Sequence, residues 1–144
     1  MNTPNKVRSV LLAGALMVLA VPAFAADENL LPLPQPVHEG NVTYISGGIG
    51  ADEEAALKSE AKDYNLLISN ADKDGNFTLS DNVVIKAHNG HELVKAENVG
   101  PLFYAKLPPG AYTVTATNGD QREVRNVKIS ANKEDSLHLI WGQT

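Results

Sequence analysis

An antiparallel β-sandwich with one short inserted α-helix is the fold class this sequence predicts, mainly β, and three observations predict it. Leu107-Pro108-Pro109-Gly110 forms a rigid corner, after which Tyr112, Val114 and Ala116 alternate with Thr113, Thr115 and Thr117. That period of two is the period of a half-buried strand. Asn89-Gly90 joins two further alternating segments and favours a tight hairpin, since both residues tolerate positive φ. From residue 64 onward such segments recur at short intervals between turn residues, the spacing of an all-β domain.

The N-terminus comes first in the chain and sets the compartment. A polar stretch with Lys6 and Arg8 leads into an apolar run, Val10 to Val21, and then into Ala23-Phe24-Ala25. This is the layout of a secretory signal peptide, 1–25, with cleavage predicted after Ala25 and a periplasmic or secreted product. The run is shorter than the roughly 20 residues of a spanning helix, so no membrane span is expected after cleavage. With no cysteine, the chain can form neither a disulfide nor a lipid-modified N-terminal cysteine. Both methionines lie in the signal, which excludes a methionine-based copper carrier. Cleavage leaves 119 residues with ten basic and 17 acidic side chains, a net charge of −7. Such a balance disfavours nucleic acid and anionic lipid as partners. A chain of this size buries about two-thirds of its surface and sustains a core without staples.

Residues 26–40 are acidic and then proline-spaced, with Pro32, Pro34 and Pro36 at alternate positions. A strand interior does not accept that pattern, so a semi-extended tether is expected, followed by a single sandwich domain over 41–144. Val42-Thr43-Tyr44-Ile45 has strand composition and ends at Ser46-Gly47-Gly48-Ile49-Gly50. A helix is expected near 51–63, where Asp52, Glu53 and Glu54 suit the positive end of the dipole and Glu54 stands four residues before Lys58. Leu57, Ala61 and Tyr64 form a narrow stripe for packing on a sheet. Strands follow near 64–69, 82–88, 91–97, 102–107, 111–117, 122–129 and 135–141. A type I′ turn at Asn89-Gly90 sets His88 opposite His91, Ile85 opposite Val94 and Val83 opposite Ala96. Leu137, Leu139 and Trp141 share one side of the last strand.

From about Asn82 to Trp141 the chain resembles the carboxypeptidase regulatory-like (transthyretin-like, or prealbumin-like) domains. There a hairpin leads to a P-P-G-x-Y corner and an alternating strand, here Leu107 to Ala116. The resemblance implies a seven- to eight-stranded sandwich and an accessory, adhesive or binding role. The helix at 51–63 is an addition to that pattern, and the step before the corner is altered to Gly100-Pro101-Leu102-Phe103. The ending Trp141-Gly142-Gln143-Thr144 replaces the Y-R-G-S of the transthyretin-related hydrolases, so their activity is not carried over.

Each motif with chemical potential has a plainer explanation beside it. Gly47-Gly48-Ile49-Gly50 before a helix has the form of a phosphate cradle, but no Lys-Ser or Lys-Thr follows and three acids would repel an anion. A sharp strand-to-helix reversal explains the glycines. Asp72-Lys73-Asp74-Gly75-Asn76 has calcium-loop composition, yet position six is Phe77 and position twelve Val83, so the register fails and a solvated turn is expected. His88 and His91 are the candidate metal ligands, two imidazoles leaving one face of the hairpin. Zinc takes three or four protein ligands, and His38 and His138 would have to arrive by folding. Tyr104 is the candidate ligand surface, because it has the opposite parity to Phe103, Ala105 and Leu107 and faces solvent if those face the core.

Catalytic residues are not predicted, for no G-x-S-x-G elbow and no Ser-His-Asp spacing stands in the chain. No cofactor is implied. The expected function is a non-catalytic exported binding or accessory domain, its partner an envelope protein or a glycan. The alternatives are a metal-binding periplasmic protein that uses His88 and His91, and a hydrolase with a site where helix meets sheet.

Overall fold

The computed structural model describes residues 33–142. The predicted signal peptide, its cleavage position and residues 26–32 of the tether lie outside the described residues. Nine strands and one helix make up the rest: β1 (Val37–Glu39), β2 (Val42–Gly47), α1 (Ala51–Glu60), β3 (Leu66–Asp72), β4 (Ser80–Ala87), β5 (Glu92–Val99), β6 (Leu102–Lys106), β7 (Gly110–Asn118), β8 (Gln121–Ile129) and β9 (Asp135–Trp141). They form a five-stranded sheet of order β1-β2-β6-β3-β9 and a four-stranded sheet of order β5-β4-β7-β8. The class is mainly β and sandwich-like, as the alternation predicts.

Alternation decides the core. Val83 and Ile85 of β4, Val94 and Ala96 of β5, and Tyr112, Val114 and Ala116 of β7 are buried from the second sheet. They meet Val42, Tyr44, Leu66, Ile68, Phe103, Ala105, Leu139 and Trp141 of the first. Tyr44 stacks on Phe103 with ring centroids 5.4 Å apart. At the corner the Tyr112 hydroxyl donates to the Pro108 carbonyl at 2.5 Å, which secures the turn before β7. Two asparagines replace absent strand partners. Asn65 exchanges two hydrogen bonds with the backbone of Leu107. Fully buried Asn70 accepts from Trp141 Nε1–H at 3.0 Å and donates to the Gly100 carbonyl at 3.0 Å.

Four findings depart from the sequence-based expectations. Val37–Glu39, assigned to the tether, pairs with β2 as an edge strand, because the proline series ends at Pro36 and the next three backbones are free to bond. That brings the number of strands to nine, against the seven to eight expected. The sheet is not wholly antiparallel, since β9 runs parallel to β3 along seven residue pairs. The hairpin turn also differs. Gly90 N–H bonds the Ala87 carbonyl and Ala87 N–H bonds the His91 carbonyl, so the loop has three residues with Gly90 alone at positive φ. A register shift between Ile85 and Lys86 then restores the expected Ile85–Val94 and Val83–Ala96 pairs. Burial of the inner face outweighs the preference of the turn.

Helix α1, continued by a 3-10 turn over Ala61–Asp63, adds a third layer. Its Leu57, with Ala61 and Tyr64, packs on Ile45, Leu102, Tyr104 and Leu67 of the outer face of the first sheet. The stripe read from the sequence is the stripe that packs.

Candidate functional site

A groove of about 450 Å³ opens at one end of the sandwich between the β2–α1 loop and the segment that enters β4. Gly48, Ile49, Gly50 and Ala51 form one wall, Phe77, Thr78 and Leu79 the other, and Pro101 the floor. Ile49 is 64% exposed, Phe77 49% and Leu79 48%, the three most exposed large apolar side chains among the described residues apart from Leu33. Scattered exposed apolar residues are ordinary, whereas a cluster at a concave site marks a place for contact.

The glycine wall is shaped by close packing. A Cβ at Gly47 would lie 2.2 Å from Glu53 Oε1 and 2.7 Å from Pro34, and one at Gly100 would lie 2.5 Å from the Gly47 carbonyl oxygen. Gly48 has φ of +100° and its N–H donates to Glu53 Oε1 at 2.8 Å. The anion in this glycine loop is therefore a side chain of the protein, and the Gly48 N–H that a phosphate would need is already engaged. Glu54, at the rim, is ion-paired with Lys58.

The opposite wall is held by Asp72. Its Oδ1 accepts the N–H groups of Asp74 at 2.8 Å and Asn76 at 2.9 Å, and its Oδ2 accepts from Asn76 Nδ2 at 3.1 Å. These donors hold the Asp72 carboxyl below its ordinary range, those of Asn76 above all. The turn delivers Phe77 to a bridge with Ala71 and so to the groove. The calcium-like composition thus serves a self-satisfied turn.

The residues nominated from sequence fall elsewhere. Tyr104 is 3% exposed and lies beneath α1, against Tyr64 with centroids 5.9 Å apart. It has the predicted parity, but α1 covers that face, so it offers no ligand surface. His88 and His91 do not face each other across the hairpin. His88 lines a hollow with Tyr112, Thr113 and Lys128, and His91 lines another with Glu39, Gly40 and Glu92. The premise of a shared ion falls with the type I′ turn. His38 Nδ1 lies 2.9 Å from Thr43 Oγ1, on the first sheet. Among the described residues no three His, Asp or Glu side chains converge in a metal-binding arrangement.

Folding does join one pair that spacing leaves apart. Ser69 Oγ and His138 Nδ1 lie 2.6 Å apart as direct partners in the parallel β3–β9 register, with His138 exposed. Sequence reasoning also passed over Phe77 and Leu79. The signal was present: an aromatic and a leucine interrupt a turn-rich segment where no core strand needs them. No known family model matches the chain, and no curated protein matches it.

Proposed function

We propose that this chain is an exported, non-catalytic binding domain of the transthyretin-like sandwich type, which docks an extended apolar segment of a partner protein in the end groove. The observation that carries the proposal is the convergence of Ile49, Phe77 and Leu79, each about half exposed or more, on one concave surface. The signal-peptide layout of residues 1–25 supports export, and the Pro108–Tyr112 corner supports the sandwich type. Completing the burial of three partly exposed side chains is worth about 2–4 kcal/mol. Set against the cost of association, that places docking in the weak, reversible range.

An array of apolar decapeptides and their serine-substituted counterparts, probed with the purified protein, tests this directly. Apolar peptides are expected to bind, and Phe77→Ser with Leu79→Ser to weaken them by about tenfold. Equal binding by the double variant, or no peptide bound, would overturn the proposal.

A further inference from the structure

We propose that the outer face of the β5-β4-β7-β8 sheet binds an anionic polysaccharide, independently of the end groove. The register assembles this face. Its rows run Glu97–Asn82–Thr117–Arg122, then Lys95–Val84–Thr115–Val124, then Glu92–Lys86–Thr113–Asn126, with Lys128 beyond, opposite Ala111. All of these side chains alternate with the buried ones, so they point away from the core.

Charge is unevenly spread over the described residues. Asp52, Glu53, Glu54, Glu60 and Asp63, against Lys58 and Lys62, sit in the helical layer, on the far side of the first sheet. Lys86, Lys95, Arg122 and Lys128 are exposed on the second sheet, and among the described residues none is in ion-pairing distance of a carboxylate. The only carboxylates in these rows, Glu92 and Glu97, belong to the edge strand β5. A negative net charge therefore conceals a face on which cations outnumber acids. From strand spacing, Lys128, Lys86 and Lys95 mark a diagonal of about 20 Å that crosses all four strands. At its β8 end lies a hollow of about 410 Å³ lined by His88, Thr113, Asn126 and Lys128.

The remaining side chains select the class of polyanion. Thr113, Thr115, Thr117, Asn82 and Asn126 supply hydroxyls and amides for hydrogen bonds to ring hydroxyls. Thr113 Oγ1 donates to Asn126 Oδ1 at 3.1 Å, which orients the Asn126 amide nitrogen as a donor without a protein partner among the described residues. These rows contain no aromatic side chain, and the only rings lining the hollow are the His88 imidazole and the buried Tyr112, so successive nucleobases find no series of stacking platforms. Val84 and Val124 are their only large apolar residues, too little for the anchor of a protein interface. Cations spaced among hydroxyls fit a chain of carboxylated sugars.

Retention of the protein on immobilised polygalacturonate, with neutral dextran and single-stranded DNA as comparison matrices, tests the proposal. At low ionic strength we expect retention on polygalacturonate, none on dextran, and release as salt shortens the screening length. Replacing Lys86, Lys95, Arg122 and Lys128 together by Gln is expected to weaken binding by about tenfold or more. Glu97→Gln is expected to strengthen it, a gain that a misfolded protein would not show. Phe77→Ser with Leu79→Ser is expected to leave it unchanged, which separates this face from the groove. No retention of the parent protein, undiminished retention of the fourfold variant, or tighter binding to DNA than to polygalacturonate would overturn it.

Discussion

Asn70 sits at zero exposure between Trp141 and Gly100, and its amide oxygen accepts the indole N–H. Asn70→Ala leaves that donor buried and unpaired and opens space beside it. A loss of about 2–4 kcal/mol is expected in urea unfolding followed by the fluorescence of Trp141, the single tryptophan. A loss below about 1 kcal/mol would mean that water replaces the amide. Asp72 acts at the surface and through pH. Its folded pKa lies below the ordinary 3.8, so in the interval between the two values the unfolded chain binds more protons. The stabilisation is complete above pH 3.8 and is lost as pH falls through the lower, folded value. Amide exchange at Asp74 and Asn76 is expected to accelerate over that fall, and Asp72→Ala to abolish the pH dependence. Protection indifferent to both changes would remove Asp72 as the clasp of the Phe77 turn.

Helix α1 shows how a covering element changes the meaning of a strand. Without it, Ile45, Leu102 and Tyr104 would form an exposed apolar face; with it, Leu57 closes a second small core. Leu57→Ala is expected to cost about 2–4 kcal/mol, because Leu57 is the one buried side chain of α1 and its removal leaves a cavity in the second core. The same change has a spectroscopic signature. Burial, with the Glu134 charge next, raises the Tyr104 hydroxyl above its ordinary 10.0, and burial raises Tyr64 likewise. Their stabilisation is present below pH 10 and disappears as pH rises through the folded values. Ultraviolet titration is expected to show late-ionising tyrosines in the parent and an earlier step in Leu57→Ala. An unchanged titration would place the burial of Tyr104 elsewhere than under the helix. Most strands were legible because each writes a local period, and the helix because Asp52, Glu53 and Glu54 stand in its first turn ahead of good helix formers. The three-residue hairpin was not, for its turn type is set by the long-range need to keep Ile85 and Val94 inside.

At the scale of the molecule the open question for any sandwich is its edges. β8 places Glu123 and Arg125 opposite Ala116 and Val114, on the core-facing side, where they form an ion pair of 2.5 Å. Charges that point inward on an edge strand discourage pairing with another chain. An exposed pair of this kind adds less than about 1 kcal/mol, so its value lies in solubility. Glu123→Val with Arg125→Val is therefore expected to change the melting temperature little and to raise the mass in concentration-dependent light scattering. A variant whose mass matches the parent at every concentration would show that the edge is protected by other means.

Alternation, turn residues and the P-P-G-A-Y corner are properties of neighbouring residues, and they sufficed for a β-rich sandwich-like fold and for the core faces of β4, β5, β7 and β9. Contact between distant residues obeys no such local code. The union of Ile49 with Phe77 and Leu79, the covering of Tyr104, the parting of His88 from His91 and the gathering of four cations on one sheet depend on strand order and register. Those are set by the burial of the whole apolar surface at once, which is why the strands could be read along the chain and the surfaces appeared only when the sheets were assembled.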